Sequence, residues 1–247
     1  MSSIAENLRI VRNRIRDAAR AAGRDPSEVA LLAVSKTFGA AEVIETAQAG
    51  QRVFGESYSQ EALAKIESVR SFRPDLRLQW HFIGPVQSNK TRVIATHFDW
   101  VHSVDRVGIA ERLAAQRPDH MPPLNICLQI NVSGESTKSG VSPREAAELA
   151  RAIARIPRLA LRGLMAIPKP SPRFDKQRLR FRQVREIFDV LREDGLALDT
   201  LSMGMSADMD AAVAEGASIV RVGSAIFGQR RHSYSLHSPG ILACMSP

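Results

Sequence analysis

The feature that most constrains this chain is a strict alternation of short apolar runs with amphipathic helical stretches along its length. Apolar runs bounded by turn residues predict strands over residues 29–36, 52–55, 78–84, 99–104, 124–131, 161–167, 200–203 and 218–222. Helical periodicity fills the intervals at 41–49, 57–71, 88–95, 107–116, 143–155, 173–193 and 207–215, with one extra helix ahead of the first strand. Runs such as Val29-Ala30-Leu31-Leu32-Ala33-Val34 are apolar on both faces, as a helix-covered parallel sheet requires. Strand–helix repetition implies parallel crossovers, and eight repeats close most simply into a barrel. The expected fold is therefore α/β, a (β/α)8 TIM-type barrel carrying an extra N-terminal helix. A doubly wound open sheet is the alternative, because alternation alone does not prove closure. Such barrels need about 250 residues, and the chain has 247. One domain over residues 1–230 is expected, with residues 231–247 as a flexible tail.

Local punctuation supports several boundaries. Gly23 is placed to terminate the first helix, and Asp25-Pro26 to turn the chain into the first strand. Ser142-Pro143 with Glu145 reads as a helix start with proline at its first position. Pro168-Lys169-Pro170-Ser171-Pro172 reads as a stiff connector too short to separate domains. From about Arg230 the sequence is polar, contains Pro239-Gly240 and loses its periodicity.

The net charge of +8 and pI near 10.2 raise the question of nucleic acid. Most of the charge is arginine on two helices. In the first, Ile4, Leu8, Val11, Ile15 and Ala19 form the apolar stripe while Arg9, Arg12, Arg16 and Arg20 take another face. In the helix at 173–193, Phe174, Phe181, Val184, Phe188 and Leu191 mark the buried side, and Arg178, Arg182 and Arg185 decorate the rest. Solvated helix faces explain this pattern, and no nucleic-acid motif or aromatic platform accompanies it. No segment approaches the roughly 18 apolar residues of a membrane span, and the charged N-terminus lacks a signal-peptide core. Cys127 and Cys244 are far apart without metal-type spacing, so a reducing, cytoplasmic setting is expected.

In a parallel barrel, binding groups collect where the strands end. Those ends carry Lys36, Glu56 with Ser57, the run from Gly84 to Lys90, Asn131, Met165, the run Ser202-Met203-Gly204-Met205-Ser206, and Gly223-Ser224. A lysine at an apolar strand mouth has its ammonium disfavoured, which suits carbonyl attack and Schiff-base formation. The two small-residue turns after the last two strands offer backbone N–H groups and hydroxyls of the kind that hold a phosphate dianion. Arg221, between apolar strand residues, needs a partner: the ring nitrogen of a bound cofactor, or an interior acid such as Glu56. A phosphate cradle with an imine-forming amine describes pyridoxal phosphate, and equally a Schiff-base aldolase acting on a sugar phosphate.

The remaining candidates are weaker. His81 is placed to point into the barrel, although a satisfied core histidine is the commoner outcome. His97, His102, His120, His232 and His237 show no metal-ligand spacing, and no metal site is expected. Lys90 and Lys138 read as solvated loop lysines. Neither a nucleotide-binding glycine loop nor a nucleophile triad is evident.

Five motifs follow in order: Ala33-Val34-Ser35-Lys36-Thr37; Phe54-Gly55-Glu56-Ser57; Trp80-His81-Phe82-Ile83-Gly84-Pro85 with Gln87-Ser88-Asn89-Lys90; Ser202-Met203-Gly204-Met205-Ser206; and Val220-Arg221-Val222-Gly223 with Ile226-Phe227-Gly228. Together they closely resemble the pyridoxal phosphate homeostasis protein family, related to the N-terminal barrel of alanine racemase. The likeness covers about residues 4–230. It implies that Lys36 holds pyridoxal phosphate as an internal aldimine, that Ser206, Gly223 and Ser224 hold the phosphate, and that Arg221 approaches the pyridine nitrogen. Ser57, His81, Met165, Met203 and Gly204 complete the expected cofactor surroundings.

The resemblance implies an intracellular cofactor carrier or regulator of vitamin B6 and amino-acid pools with little or no turnover. Pyridoxal-phosphate-dependent apoenzymes are the candidate recipients, and a monomer is expected. The alternative is an amino-acid racemase. A two-base racemase needs a second acid/base, which in the related racemase is a tyrosine of an additional domain. Here the only tyrosines are Tyr58 and Tyr234, and such a domain is not expected. The sequence departs from the family pattern at Ser57, usually asparagine; at Ala207, commonly an acid; at Ser224, more often threonine; and in a longer C-terminal tail.

Overall fold

A computed structural model describes residues 3–135 and 139–228. The strands are β1 (Ala30–Val34), β2 (Val53–Glu56), β3 (Gln79–Phe82), β4 (Trp100–Val104), β5 (Leu124–Ile130), β6 (Leu159–Ala166), β7 (Thr200–Ser202) and β8 (Ile219–Val222). The helices are α1 (Ile4–Ala21), α2 (Ala40–Gln48), α3 (Ser59–Phe72), α4 (Thr91–His97), α5 (Val107–Gln116), α6 (Ala146–Ala154), α7 (Phe174–Glu193), α8 (Met209–Ala214) and α9 (Ser224–Phe227). All eight strands pair in parallel and in sequence order, and β8 returns to β1 with Ala30 opposite Ile219 and Ala33 opposite Val222. That last pairing closes the barrel and excludes the open sheet.

The extra helix α1 folds as its periodicity predicts. Ser3 caps its first turn by accepting from the Glu6 amide at 3.2 Å, and Leu8, Val11, Ile15 and Ala19 are buried. It ends at Gly23 (φ 68°), where the Arg24 amide reaches back to the Ala19 carbonyl at 2.9 Å; left-handed backbone of this kind favours glycine. The helix packs against α2, α8 and α9, beside the β1–β8 junction.

Alternation along the strands sorts side chains into two shells. Leu31, Ala33, Phe54, Trp80, Phe82, Val101, Ile126, Leu128, Leu164, Leu201, Val220 and Val222 join the helices in the main core, outside the barrel wall. Their neighbours Trp100, Cys127 and Met165 form a separate buried cluster inside it. His81, His102, Ser202 and Arg221 share that inward parity and are also buried.

Several boundaries differ from the sequence reading. The helix expected from residue 143 begins at Ala146. Pro143 lies instead in a turn, where Ser142 Oγ donates to Glu145 Oε2 at 2.5 Å and Val141 bridges to Ile130. The helix expected from residue 207 begins at Met209, because Asp208 Oδ1 takes the Met205 amide at 2.6 Å and holds residues 206–208 as a turn. Phe174, expected to be buried, is 48% exposed at the first residue of α7, with the Arg178 guanidinium 6.0 Å from its ring centre. The arginines of α7 are not simply solvated. Arg178, Arg182 and Arg185 converge at 2.7, 3.0 and 3.2 Å on Glu215, whose carboxylate is fully buried. Lys138, Cys244 and the expected tail lie outside the described residues.

Candidate functional site

Of the expected site residues, Lys36, Ser57, Gly204, Ser206, Gly223 and Ser224 follow the ends of their strands, while His81, Met165 and Arg221 lie within the barrel. Lys36 stands two residues beyond β1, half-buried in a turn. The backbone on either side of it is clamped. Lys65 Nζ donates to the Ser35 carbonyl at 2.8 Å, and Ser35 Oγ donates to Glu56 Oε1 at 2.6 Å. On the other side the Thr37 amide donates to Glu61 Oε1 at 2.6 Å. Thr37 sits at φ 70°, a left-handed conformation that costs a β-branched residue on the order of 1–3 kcal/mol. Lys65 ties both sides together, bonding Glu56 Oε1 at 2.6 Å and Glu61 Oε1 at 3.1 Å.

Pairing of β1 with β8 brings the Gly223–Ser224 turn against Val34, two residues before Lys36. A side chain at Gly223 would place its Cβ 3.0 Å from the Val34 carbonyl and 3.4 Å from the Val34 Cβ, so glycine permits this close approach. Ser224, the first residue of α9, is exposed. Two residues beyond the neighbouring strand β7, Gly204 takes φ 93° and a Cβ there would lie 2.5 Å from that of Ala212. Ser206 is half-buried, and its carbonyl accepts from Arg14 Nη1 at 2.7 Å. Met203 follows the outward parity and packs in the main core, so only its backbone faces the turn. Ser57 is half-buried just beyond β2, pressed against Gly84, where a Cβ would lie 2.2 Å from the Ser57 carbonyl oxygen. A cavity of about 290 Å³ opens at the same end, lined by Ile83, Pro85, Gln129, Ile130, Asn131, Ser139 and Ile167.

Arg221 occupies the barrel interior and does not meet Glu56. The two lie on opposite sides of the wall, for Glu56 shares the outward parity of Phe54 and pairs with Lys65 of α3. Instead Arg221 Nη1 donates to the carbonyl and Oγ of Ser202 at 2.6 and 2.7 Å, and Nη2 to the Ala166 carbonyl at 2.8 Å. Three of the five guanidinium N–H groups are thus committed to protein acceptors. Burial lowers the Arg221 pKa to about 10, opposed by Asp208 and Cys127, and the group stays cationic at neutral pH. Burial pushes the Cys127 thiol up to about 12, so it stays protonated.

Across the interior, His102 Nδ1 lies 2.7 Å from Ser202 Oγ, His102 Nε2 lies 2.8 Å from His81 Nδ1, and His81 Nε2 lies 3.0 Å from Gln79 Oε1. The His81 ring stacks on Trp100 with centres 5.2 Å apart. Burial lowers the His81 pKa to about 3. His102 is also held well below the ordinary value, first by burial and then by the charges of His81 and Arg221. Both rings are neutral near pH 7.

Sequence reasoning did not anticipate the roles of Lys65, Ser202 and His102. Lys65 had a signal: it interrupts the buried stripe Ala62, Ile66 and Val69 at a position where helical spacing calls for an apolar residue. Ser202 and His102 are 100 residues apart and had none.

Among known proteins, residues 2–231 match the family described as alanine racemase, N-terminal domain. The pyridoxal phosphate homeostasis protein of Pseudomonas aeruginosa is 58% identical over 93% of this chain and 97% of its own. That of Escherichia coli K12 is 51% identical over 94% and 99%. PipY of Synechococcus elongatus, solved with PLP bound, superimposes with a TM-score of 0.80 at 37% identity, covering 92% of this chain and all of its own. An alanine racemase from Clostridium difficile shares the fold (TM-score 0.72, 15% identity), and this chain spans 57% of it. With a barrel of this topology and identities this high over nearly the full length, the chain belongs to the pyridoxal phosphate homeostasis proteins, within the alanine racemase N-terminal domain family.

Proposed function

We infer that this protein binds pyridoxal 5'-phosphate covalently through Lys36 and serves its homeostasis, with little or no turnover of its own. The observation that carries this reading is the approach of β8 to β1, which sets the Gly223–Ser224 turn against Val34, two residues before Lys36, with a cationic Arg221 buried in the last strand just ahead of the turn. Names and ligands of the relatives agree: proteins about half or more identical are called pyridoxal phosphate homeostasis proteins, and PipY was solved with PLP bound.

The residues present fit the group. Gly223 lets the turn close against Val34, Gly204 turns the chain in left-handed backbone, and Ser206 and Ser224 offer hydroxyls for a phosphate. The N–H groups of Arg221 that have no acceptor among the described residues suit the ring nitrogen, which a guanidinium leaves unprotonated. Ser57 borders the mouth, and Gly204 and Met203 contribute backbone. His81 and Met165 line the interior, where they support the site from within the wall. Bound pyridoxal phosphate supplies an aldehyde that condenses with a primary amine and a ring that withdraws electrons from it. Lys36 provides that amine, and Arg221 moderates the electron demand. Delivery to apoenzymes inside the cell, by a monomer, completes the proposal. No helix among the described residues is long and apolar enough to cross a membrane.

The test is the visible spectrum of the purified protein with added pyridoxal phosphate, beside Lys36→Ala, followed by borohydride reduction and peptide mapping. A yellow band lost in Lys36→Ala, with the reduced adduct on Lys36, supports the reading. No band in the wild type, or an adduct spread over other lysines, overturns it.

A further inference from the structure

The interior hydrogen bonds are ordered from the Gln79 end. Gln79 Oε1 can only accept, so His81 Nε2, 3.0 Å away, carries a proton and donates to it. In a neutral ring His81 Nδ1 then accepts, so His102 Nε2, 2.8 Å away, carries its proton and donates. His102 Nδ1 is left as an acceptor, and the Ser202 hydroxyl donates to it at 2.7 Å. The same hydroxyl oxygen accepts from Arg221 Nη1 at 2.7 Å, because a guanidinium has no acceptor capacity. Each link fixes the next. The chain crosses the barrel through β8, β7, β4 and β3, and ends on an exposed glutamine at the opposite end from Lys36.

We propose that His102 and His81 are positioning residues for the cofactor site, a one-directional relay that locks the Ser202 hydroxyl as an acceptor and so fixes the Arg221 guanidinium. This rests on the reading that Arg221 faces the bound ring. The physical need is clear. A guanidinium inside the barrel wall is stable only with its hydrogen-bond geometry satisfied. A serine hydroxyl alone can rotate, and rotated away it would point a proton at a cation. His102 removes that freedom, and its own tautomer is set by His81. Proton loading of either ring would break the order, because a doubly protonated imidazole can accept from neither Ser202 nor His102. Burial and the nearby Arg221 charge oppose such loading. The charged and titratable groups bearing on the relay from neighbouring strands and turns are Arg221 itself, Cys127, Asp208 after β7, and Arg162, which lies 5.1 Å from the Trp100 ring centre.

Nitrogen-15 NMR of histidine-labelled protein tests the relay without any cofactor. Both rings should report the Nε2–H tautomer and stay neutral at pH 5.5. An Nδ1–H tautomer for either ring, or titration near pH 6.5, overturns the proposal. The second test compares His102→Phe with His102→Gln, whose amide oxygen and NH2 can replace Nδ1 and Nε2–H. In Phe, affinity for pyridoxal phosphate should fall about tenfold and the pH dependence of the bound chromophore's band should shift. Gln should restore both. Equal behaviour of the two variants overturns the relay's role at the site. If wild-type protein forms no band at all, the cofactor reading fails instead, while the tautomer measurement still decides whether the relay exists.

Discussion

Lys65 and Glu56 form an ion pair at 2.6 Å between the barrel wall and α3, with side chains only 3% and 0% exposed. The same ammonium donates to the Ser35 carbonyl, one residue before Lys36. Glu56 Oε2 has no hydrogen-bond partner among the described residues, and burial raises this carboxyl's pKa while Lys65 and Ser35 work against the shift. The pair thus supports the site at some cost in desolvation.

Removing one partner should therefore be worse than removing both charges. Lys65→Met is expected to destabilise the fold by about 3–5 kcal/mol, because it strands a buried carboxylate. Lys65→Met with Glu56→Gln should recover a large part of that loss. Urea denaturation of the two variants decides the matter, and a single variant within about 1 kcal/mol of wild type would show the pair to be dispensable.

Glu215 is the anchor of α8 to α7. Hydrogen bonds from Arg182 and Arg178 outweigh the upward pull of burial, and the carboxyl pKa is lowered overall. Glu215→Gln should cost about 2 kcal/mol at pH 7, whereas each single Arg→Gln should cost under about 1 kcal/mol, since these arginines are part-exposed and two remain. A thermal or urea melt of the four variants checks the asymmetry.

The buried histidines set a pH dependence. The unfolded chain takes up protons on His81 and His102 below about pH 6.5, while the native rings stay neutral, His81 down to about 3. Stability from these groups is therefore present above about pH 6.5 and is lost as pH falls, by up to about 1.4 kcal/mol per pH unit for each ring. Glu56, Asp99 and Asp208, with pKa values raised mainly by burial, act in the opposite sense. The slope of unfolding free energy between pH 7 and 5.5 should accordingly be shallower in His102→Phe than in wild type. Identical slopes would mean that native His102 titrates like a solvated ring.

Glycine contacts give a local test of the mouth. Gly84→Ala would force the segment bearing Ser57 outward, because no Cβ fits 2.2 Å from the Ser57 carbonyl oxygen. Both melting temperature and cofactor affinity should drop. Gly108, in α5 with open space around it, should accept alanine with a gain of about 0.5–1 kcal/mol. Differential scanning fluorimetry on the pair separates crowding from the loss of a glycine as such.

Much of this molecule is written locally. Strand positions are legible because a wall buried on both faces demands short, doubly apolar runs, and Leu31 through Val34 and Ile126 through Leu128 supply them. The placement of Lys36, Gly204 and Gly223 at strand ends follows from the same boundaries. The helix starts at Ala146 and Met209 are not legible in the pattern, because side chains of Glu145 and Asp208 bond into the preceding turns, a competition that propensity does not register.

What the sequence by itself determined is the strand–helix repeat and the list of groups at the strand ends, since each depends on spacing within about 10–30 residues. Only the tertiary structure decided the closure of the barrel and the partners. Arg221 met Ser202 and not Glu56 because strand parity put the two carriers on opposite faces of the wall. Three arginines closed on Glu215, and two histidines ordered a serine hydroxyl, because barrel closure brought together residues that no local pattern relates.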